Sequence, residues 1–536
     1  MPVGDRIVGV VGDGARAPSL AVAALAAAVA VLVVCPVIWL IVHAGRAPPR
    51  AFALAGSRST LQVLLNSVVV VVAVSVCSVL IGVPLAVLTA QTDLPFRRFW
   101  TVTAALPLVI PEYVGAFAFV SAFGPHGVLS DLLAPLGVSA LPTIYGLGGT
   151  VLVFTLFMYP YVFLTTRAGL LSIDGTLVEA ARTLNHTKTG ALRKVVLPQV
   201  LTAVSAGVLL VALDALADFG TPAIMHYDTF MREIFVQYNN PAAPGFTALL
   251  SLQLLAVVAV VLALESRIGE NASTRIGGEG TNRSTRLALG RWRWRWLAQA
   301  YPAAVASLSL GVPLAILVHW HQRAGNVYGG FAFHWSYGLH SVEVAAVAAA
   351  VAVAAALPIA YVSSRSSTPF AVVVDRLSYV GYAVPGLVLG IALVYIGVAF
   401  VPALYQTVPM LVFAYVVRFL PQAVGSVRSS FLQVDPRLTE AARTLGHSGV
   451  STFRRVTLPL IAPGVAAGAA LVFLTTMKEL QATLVLQPTG FRTLVTYIWM
   501  VQEAGYYSEA AVPALVLVGV SALSMLVILA RERYDV

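Results

Sequence analysis

The chain has 536 residues, 59% of them hydrophobic and 10% charged, with a formal net charge of +10. A soluble domain carries about a quarter charged residues, so a water-soluble fold could not bury this much apolar side chain and lipid must act as part of the solvent. The basic residues sit in short segments between long apolar runs, which is the pattern of a membrane protein's cytoplasmic edge and argues against nucleic acid as a partner.

In chain order, the first predicted span is residues 18–43. Its apolar run is longer than the core of a signal peptide and no small-residue cleavage site follows it, so it is expected to remain uncleaved. Five further spans are predicted at 61–90, 99–123, 147–166, 199–217 and 246–265, near or beyond the ~20 residues that cross a bilayer. Cys35 and Cys77 lie within spans, with no partner at metal-ligand spacing, and read as small packing residues.

Residues 266–296 are polar and rich in Gly, Ser, Thr and Arg, as expected of a cytoplasmic linker. The linker ends in Arg291-Trp292-Arg293-Trp294-Arg295-Trp296, a cationic aromatic segment suited to anchoring at the membrane interface. A second set of six spans follows at 297–320, 339–362, 373–400, 408–427, 460–482 and 509–530. His319, His321, His334 and His340 lie at or beyond span ends, at spacings that match no tight metal site, and read as interfacial histidines. With the N-terminus in the cytoplasm, most Lys and Arg residues fall on that side, and both termini are cytoplasmic.

The two sets are copies. Residues 174–198 (DGTLVEAARTLNHTKTGALRKVVLP) and 435–459 (DPRLTEAARTLGHSGVSTFRRVTLP) agree at 13 of 25 positions, 261 residues apart, where roughly two matches are expected by chance. The same offset pairs Pro160 with Pro421, Arg167 with Arg428, Gly207 with Gly468 and Asp218 with Glu479. An even number of spans per copy gives both halves one orientation, a parallel repeat. The expected organisation is therefore all-α: residues 1–265 and 297–536 form two parallel six-helix repeats, about twelve transmembrane helices in all, joined by the linker.

The repeated loops, about 171–198 and 432–459, are basic and amphipathic and are broken near the middle. Gly446 supplies a turn in the second copy, and Pro198 and Pro459 are expected in the first turn of the following span. The motif of Glu-Ala-Ala, three residues, Gly, nine residues, a β-branched residue, any residue and Leu-Pro resembles the loop of permeases in binding-protein-dependent ABC importers. Glu440, Ala441, Ala442, Gly446, Val456, Leu458 and Pro459 match throughout. Glu179, Ala180, Ala181, Leu197 and Pro198 match in the first copy, where Asn185 replaces the Gly; Asn also tolerates a left-handed turn.

That resemblance implies a type I ABC importer permease fold in a bacterial cytoplasmic membrane. It implies two coupling helices docked on two copies of an ABC ATPase, and an extracytoplasmic binding protein that delivers substrate. No GxxxxGK[ST] phosphate loop occurs in the chain. ATP and Mg are therefore expected on the partner ATPase, with no cofactor on this transport subunit.

Ionisable residues inside spans are functional candidates. Glu112 lies in the third span, Asp214 and Asp218 close the fifth, and Lys478 and Glu479 occupy the equivalent place in the second half. Facing carboxylates would form an acidic path suited to a hard cation. Two structural alternatives stand beside that reading: Lys478 neutralising Glu479, and Asp218 capping an interfacial helix. Residues 217–238 and 473–518 resemble the ferric-iron permeases, which implies Fe³⁺ as substrate; related permeases for thiamine or phosphonates, and an ion-gradient-driven secondary transporter, are the alternatives.

Overall fold

The computed structural model describes residues 19–124, 127–129, 135, 143–172, 197–273, 292–322 and 332–531. Its elements are helices. They run α1 Leu20–Gly45, α2 Pro49–Ala55, α3 Arg58–Gln91, α4 Arg97–Ala105, α5 Glu112–Phe123, α6 Leu147–Leu171, α7 Leu197–Ala217 and α8 Gly220–Ile224. After these come α9 Phe230–Asn239, α10 Phe246–Ser273, α11 Trp292–Ala306, α12 Val312–Gln322, α13 Trp335–Arg365, α14 Pro369–Ser378, α15 Val380–Ala383 and α16 Gly386–Phe400. The chain continues through α17 Val408–Gln433, α18 Pro436–Thr444, α19 Gly449–Thr452, α20 Leu458–Met477, α21 Gln481–Leu486, α22 Leu494–Glu503 and α23 Tyr507–Arg531. Ten helices among the described residues are long and apolar enough to cross a membrane, or up to twelve if each of two bent pairs is one span.

The described helices form two compact units. The larger spans Trp39–Glu343, Ala383–Leu411 and the chain from Met477; the smaller holds Val344–Tyr382, Val412–Thr476 and the chain up to Ile38.

In the larger unit α3 is inside-out relative to a soluble helix. Its buried face includes Ser67, Ser75, Ser78 and Gly82, while Leu61, Leu65, Val72, Val76 and Leu80 are exposed. Lipid is as apolar as leucine, so helices in a membrane associate through small residues and close backbone approach. Val70 and Val74 of α3 pack with Phe154, Met158 and Val162 of α6 and with Val211 and Ala215 of α7.

The repeat is visible at the level of single contacts. A Cβ added at Gly207 of α7 would lie 2.6 Å from the Val162 Cα of α6. In the smaller unit a Cβ at Gly468 of α20 would lie 3.3 Å from the Ala423 Cα of α17, so both partners keep the 261-residue offset. One turn away the small residues have changed sides: Gly169 sits against Ala203 in one copy, and Ser430 against Gly464 in the other. Gly207→Leu is therefore expected to force α6 and α7 apart and destabilise the permease by about 1–3 kcal/mol or more. Thermal unfolding in detergent should show a lower midpoint for this variant; an unchanged midpoint would mean that α7 does not depend on the close approach.

One departure from the sequence expectation has a backbone cause. The third span is not straight: α4 runs through a 3-10 turn, Leu106–Val109, and α5 leaves at 92°. Pro107 and Pro111 each lack an N–H, so the α-helical ladder cannot continue through them. Pro459 is the second residue of α20, in its first turn as expected, and the helical chain runs into it without a break from Gly449. A π-turn at Phe453–Thr457 precedes it, closed by the Leu458 N–H on the Phe453 carbonyl. The same device, Ser307–Gly311, precedes Val312-Pro313. A wide turn before a proline absorbs the missing donor and the ring's clash with the preceding turn.

Candidate functional site

All five ionisable span residues fall in the larger unit, and the breaks in the helices gather them. The second break in the third span puts Glu112 at the first position of α5, directly after Pro111. There it is half-exposed and within electrostatic reach of Asp214, Lys478 and Asp218. Tyr113, the next residue, is within reach of Glu112, Asp218 and Glu479.

Asp218 and Glu479 perform the same local task in each half. The Asp218 carboxylate accepts from the backbone N–H groups of Gly220 and Thr221, each at 3.0 Å, and so caps the short helix α8. The Glu479 carboxylate accepts from the N–H of Ala482 at 3.0 Å and caps α21, while Thr483 donates its hydroxyl to the Glu479 carbonyl. Both carboxylates are buried, 9% and 7% exposed. A first helical turn has unpaired N–H groups, and an anion there is favoured by both hydrogen bonding and the local dipole. The capping alternative thus describes Asp218, and its repeat mate as well.

Lys478 reaches to the break of the third span. Its Nζ donates at 2.8 Å to the carbonyl of Leu108, in the 3-10 turn at the break of the third span. The physical reason is the break itself: it presents a carbonyl to a donor, whereas Glu479 turns to the amides of α21. One ammonium therefore fastens the kink and lies beside Glu112.

Aromatic side chains border this cluster. Phe219 stacks on Phe235 at 4.4 Å and meets Trp499 edge-on at 5.2 Å. Gly220 fills the gap, where an added Cβ would lie 3.0 Å from the Tyr113 Cβ, 3.4 Å from Asp218 Oδ1 and 3.7 Å from the Trp499 ring. Sequence reasoning singled out none of Tyr113, Gly220 and Trp499. Tyr113 is 4% exposed, and its hydroxyl has no hydrogen-bond partner within the protein. A buried unpaired hydroxyl costs about 1–3 kcal/mol. Among the described residues no three His, Cys, Asp or Glu side chains converge tightly enough to hold a metal ion.

The second repeated loop lies in the smaller unit. Asp435 caps α18 through the Arg437 N–H at 2.9 Å, and Arg365 donates to the Val434 carbonyl at 3.2 Å, fixing the base of the loop. Glu440 and Ala441 are exposed on α18, and Ala442 is buried. Gly446 adopts φ +87°, the left-handed turn expected of it. Leu445 and Val450, beside that turn, are 81% and 79% exposed, an apolar display of the kind that marks a protein interface. Pro459 and Leu458 begin α20. In the first copy Glu179, Ala180, Ala181 and Asn185 lie outside the described residues, and Leu197 and Pro198 open α7.

At the linker's end, Arg295 of α11 pairs with Asp93, and Tyr301 donates to the Ile81 carbonyl at 3.1 Å, tying α11 to α3. Arg293, Trp296 and Leu297 are exposed, in keeping with an interfacial anchor.

Comparison with known proteins adds a family and several relatives. The family described as binding-protein-dependent transport system inner membrane component matches residues 78–270 and 345–533. The chain is 29% identical over 459 residues to the Fe(3+)-transport system permease protein FbpB 2 of Haemophilus influenzae, covering 85% of this chain and 87% of that one. It is 22% identical over 497 residues to the ferric transport system permease protein FbpB of Actinobacillus pleuropneumoniae, covering 87% and 70%. A probable molybdenum ABC transporter permease of Haloferax volcanii is 35% identical over 200 residues, 37% of this chain and 72% of that one.

Proposed function

The chain belongs to the binding-protein-dependent transport system inner membrane component family, and from that premise we propose that it admits ferric iron to the cytoplasm in an ATP-driven importer. It is a multi-pass inner-membrane transport subunit. In the proposed complex an extracytoplasmic binding protein delivers the ion. Two ATPase subunits, which carry ATP and Mg, dock on the loops around Glu179 and Glu440, and both termini face the cytoplasm.

The observation that carries the substrate reading is likeness to a ferric permease over nearly the whole of both chains. The molybdenum relative spans little more than a third of this chain. The chemistry supports the same choice. A cluster of Glu112, Asp214, Asp218 and Glu479 against one Lys478 repels an oxyanion and attracts a multivalent hard cation. The docking role of the loop is supported by the exposed Glu440, Leu445 and Val450 beside a rigid, capped base.

Competition in cells tests the substrate. Labelled ferric-iron uptake that depends on this chain should be unchanged by excess thiamine, phosphonate or molybdate. Strong inhibition by any one of them would transfer the assignment to that compound.

A further inference from the structure

We propose that the Tyr113 hydroxyl is a direct oxygen ligand for the cation as it passes the acidic cluster. This proposal rests on the ferric-iron reading and deepens it. A cluster of carboxylates alone would not define a site, but Tyr113 adds an independent observation. It is buried, its hydroxyl finds no partner in the protein, and it lies beside Glu112, Asp218 and Glu479.

The surroundings leave the phenol free for this use. Asp218 and Glu479 are committed to backbone amides at the starts of α8 and α21. Lys478 is committed to the Leu108 carbonyl. Gly220 gives Tyr113 its place, since any larger residue would press on the Tyr113 Cβ. A phenol oxygen with the Glu112 carboxylate makes a hard, all-oxygen pair, the kind a ferric ion prefers. No tighter trio of ligands is present among the described residues, so the ion retains part of its water or chelate. Incomplete coordination also suits a transport path, where an ion must leave as readily as it arrives. Binding forms one O–Fe bond and breaks the phenol O–H bond; the neighbouring Glu112 carboxylate takes the proton, and no electron is transferred.

The test uses the complete importer, permease with its ATPase subunits and binding protein, reconstituted in liposomes. Tyr113→Phe should lower ferric-iron uptake per inserted permease by roughly 10- to 100-fold, the loss typical of a contact around a metal. Because the substitution removes an unsatisfied hydroxyl, the thermal midpoint of the variant should be unchanged or higher. A role limited to packing predicts unchanged uptake, because phenylalanine keeps the ring. Ferric nitrilotriacetate added to the purified permease–ATPase complex, without binding protein, should produce the visible charge-transfer band of a ferric–phenolate bond in the native chain only. Unchanged uptake by Tyr113→Phe, or an identical band in both forms, would overturn the proposal while leaving an iron importer. Absence of iron uptake by the native importer would instead overturn the substrate reading beneath it.

Discussion

Lys478→Met should yield a permease that inserts but is markedly less stable and transports little. Lys478 has two duties at one place. Its ammonium supplies the Leu108 carbonyl with a donor at 2.8 Å, and it interacts electrostatically with Glu112. Methionine keeps the stem's length and loses both. A hydrogen bond to a charged group contributes about 1.5–3 kcal/mol, and the half-exposed setting of Lys478 places the loss toward the lower end. The kink between α4 and α5 should loosen, and Glu112 should be left facing Asp214 and Asp218. Adding Glu112→Gln should restore part of the stability by removing the charge that Lys478 offsets. The measurement is thermal unfolding of the native chain, the single variants and the double variant. A Lys478→Met midpoint equal to the native one would show that the contact with Leu108 contributes nothing, and lack of rescue would disconnect Lys478 from Glu112.

The second large effect is expected at the other end of the coupling path. Glu179→Lys together with Glu440→Lys should abolish uptake and leave the amount of permease in the membrane unchanged. Glu440 is exposed on α18, away from the packed interior, so its replacement should change folding stability by no more than about 0.5 kcal/mol. At a docked surface the same change reverses a charge, and like-charge juxtaposition across an interface costs several kcal/mol. Co-purification with the ATPase should therefore be lost along with transport. Retained ATPase binding by the double variant would remove both glutamates from the joint.

The sequence was most informative where the chain repeats itself. Two loops at half identity revealed the repeat, and Gly446 predicted the left-handed turn found in the second of them. Composition and apolar length predicted about twelve spans, because crossing a bilayer imposes a length that soluble folds do not, and the described residues hold ten, or up to twelve with the two bent pairs. The ionisable residues inside spans were legible one at a time. What each one touches was not, since those contacts depend on where helices break. Asp218 and Glu479 became caps because α7 and α20 end just before them and short helices restart within three residues. Lys478 found a carbonyl 370 residues away in sequence.

A second layer of the repeat was hidden by drift. Ser67 accepts from the Phe230 N–H at 2.7 Å, the first amide of α9, and Ser341 accepts from the Leu494 N–H at 2.8 Å, the first amide of α22. Ser67 and Ser341 are 274 positions apart, as are Pro111 and Pro385, whereas the loops are 261 apart. Between its early and late parts the first half carries 13 residues more than the second, which shifts the register, so a single offset could not reveal both. Tyr113 was missed for a different reason: an aromatic within an apolar run reads as packing until its hydroxyl is seen to lack a partner.

The most direct measurement is radioactive ferric-iron uptake by cells with the native chain, without it, and with the Glu179→Lys/Glu440→Lys form. Uptake that requires the chain and disappears in the double variant, at equal membrane abundance, is the predicted result. Uptake that persists without the chain, or in the double variant, would contradict an iron importer powered through these two loops.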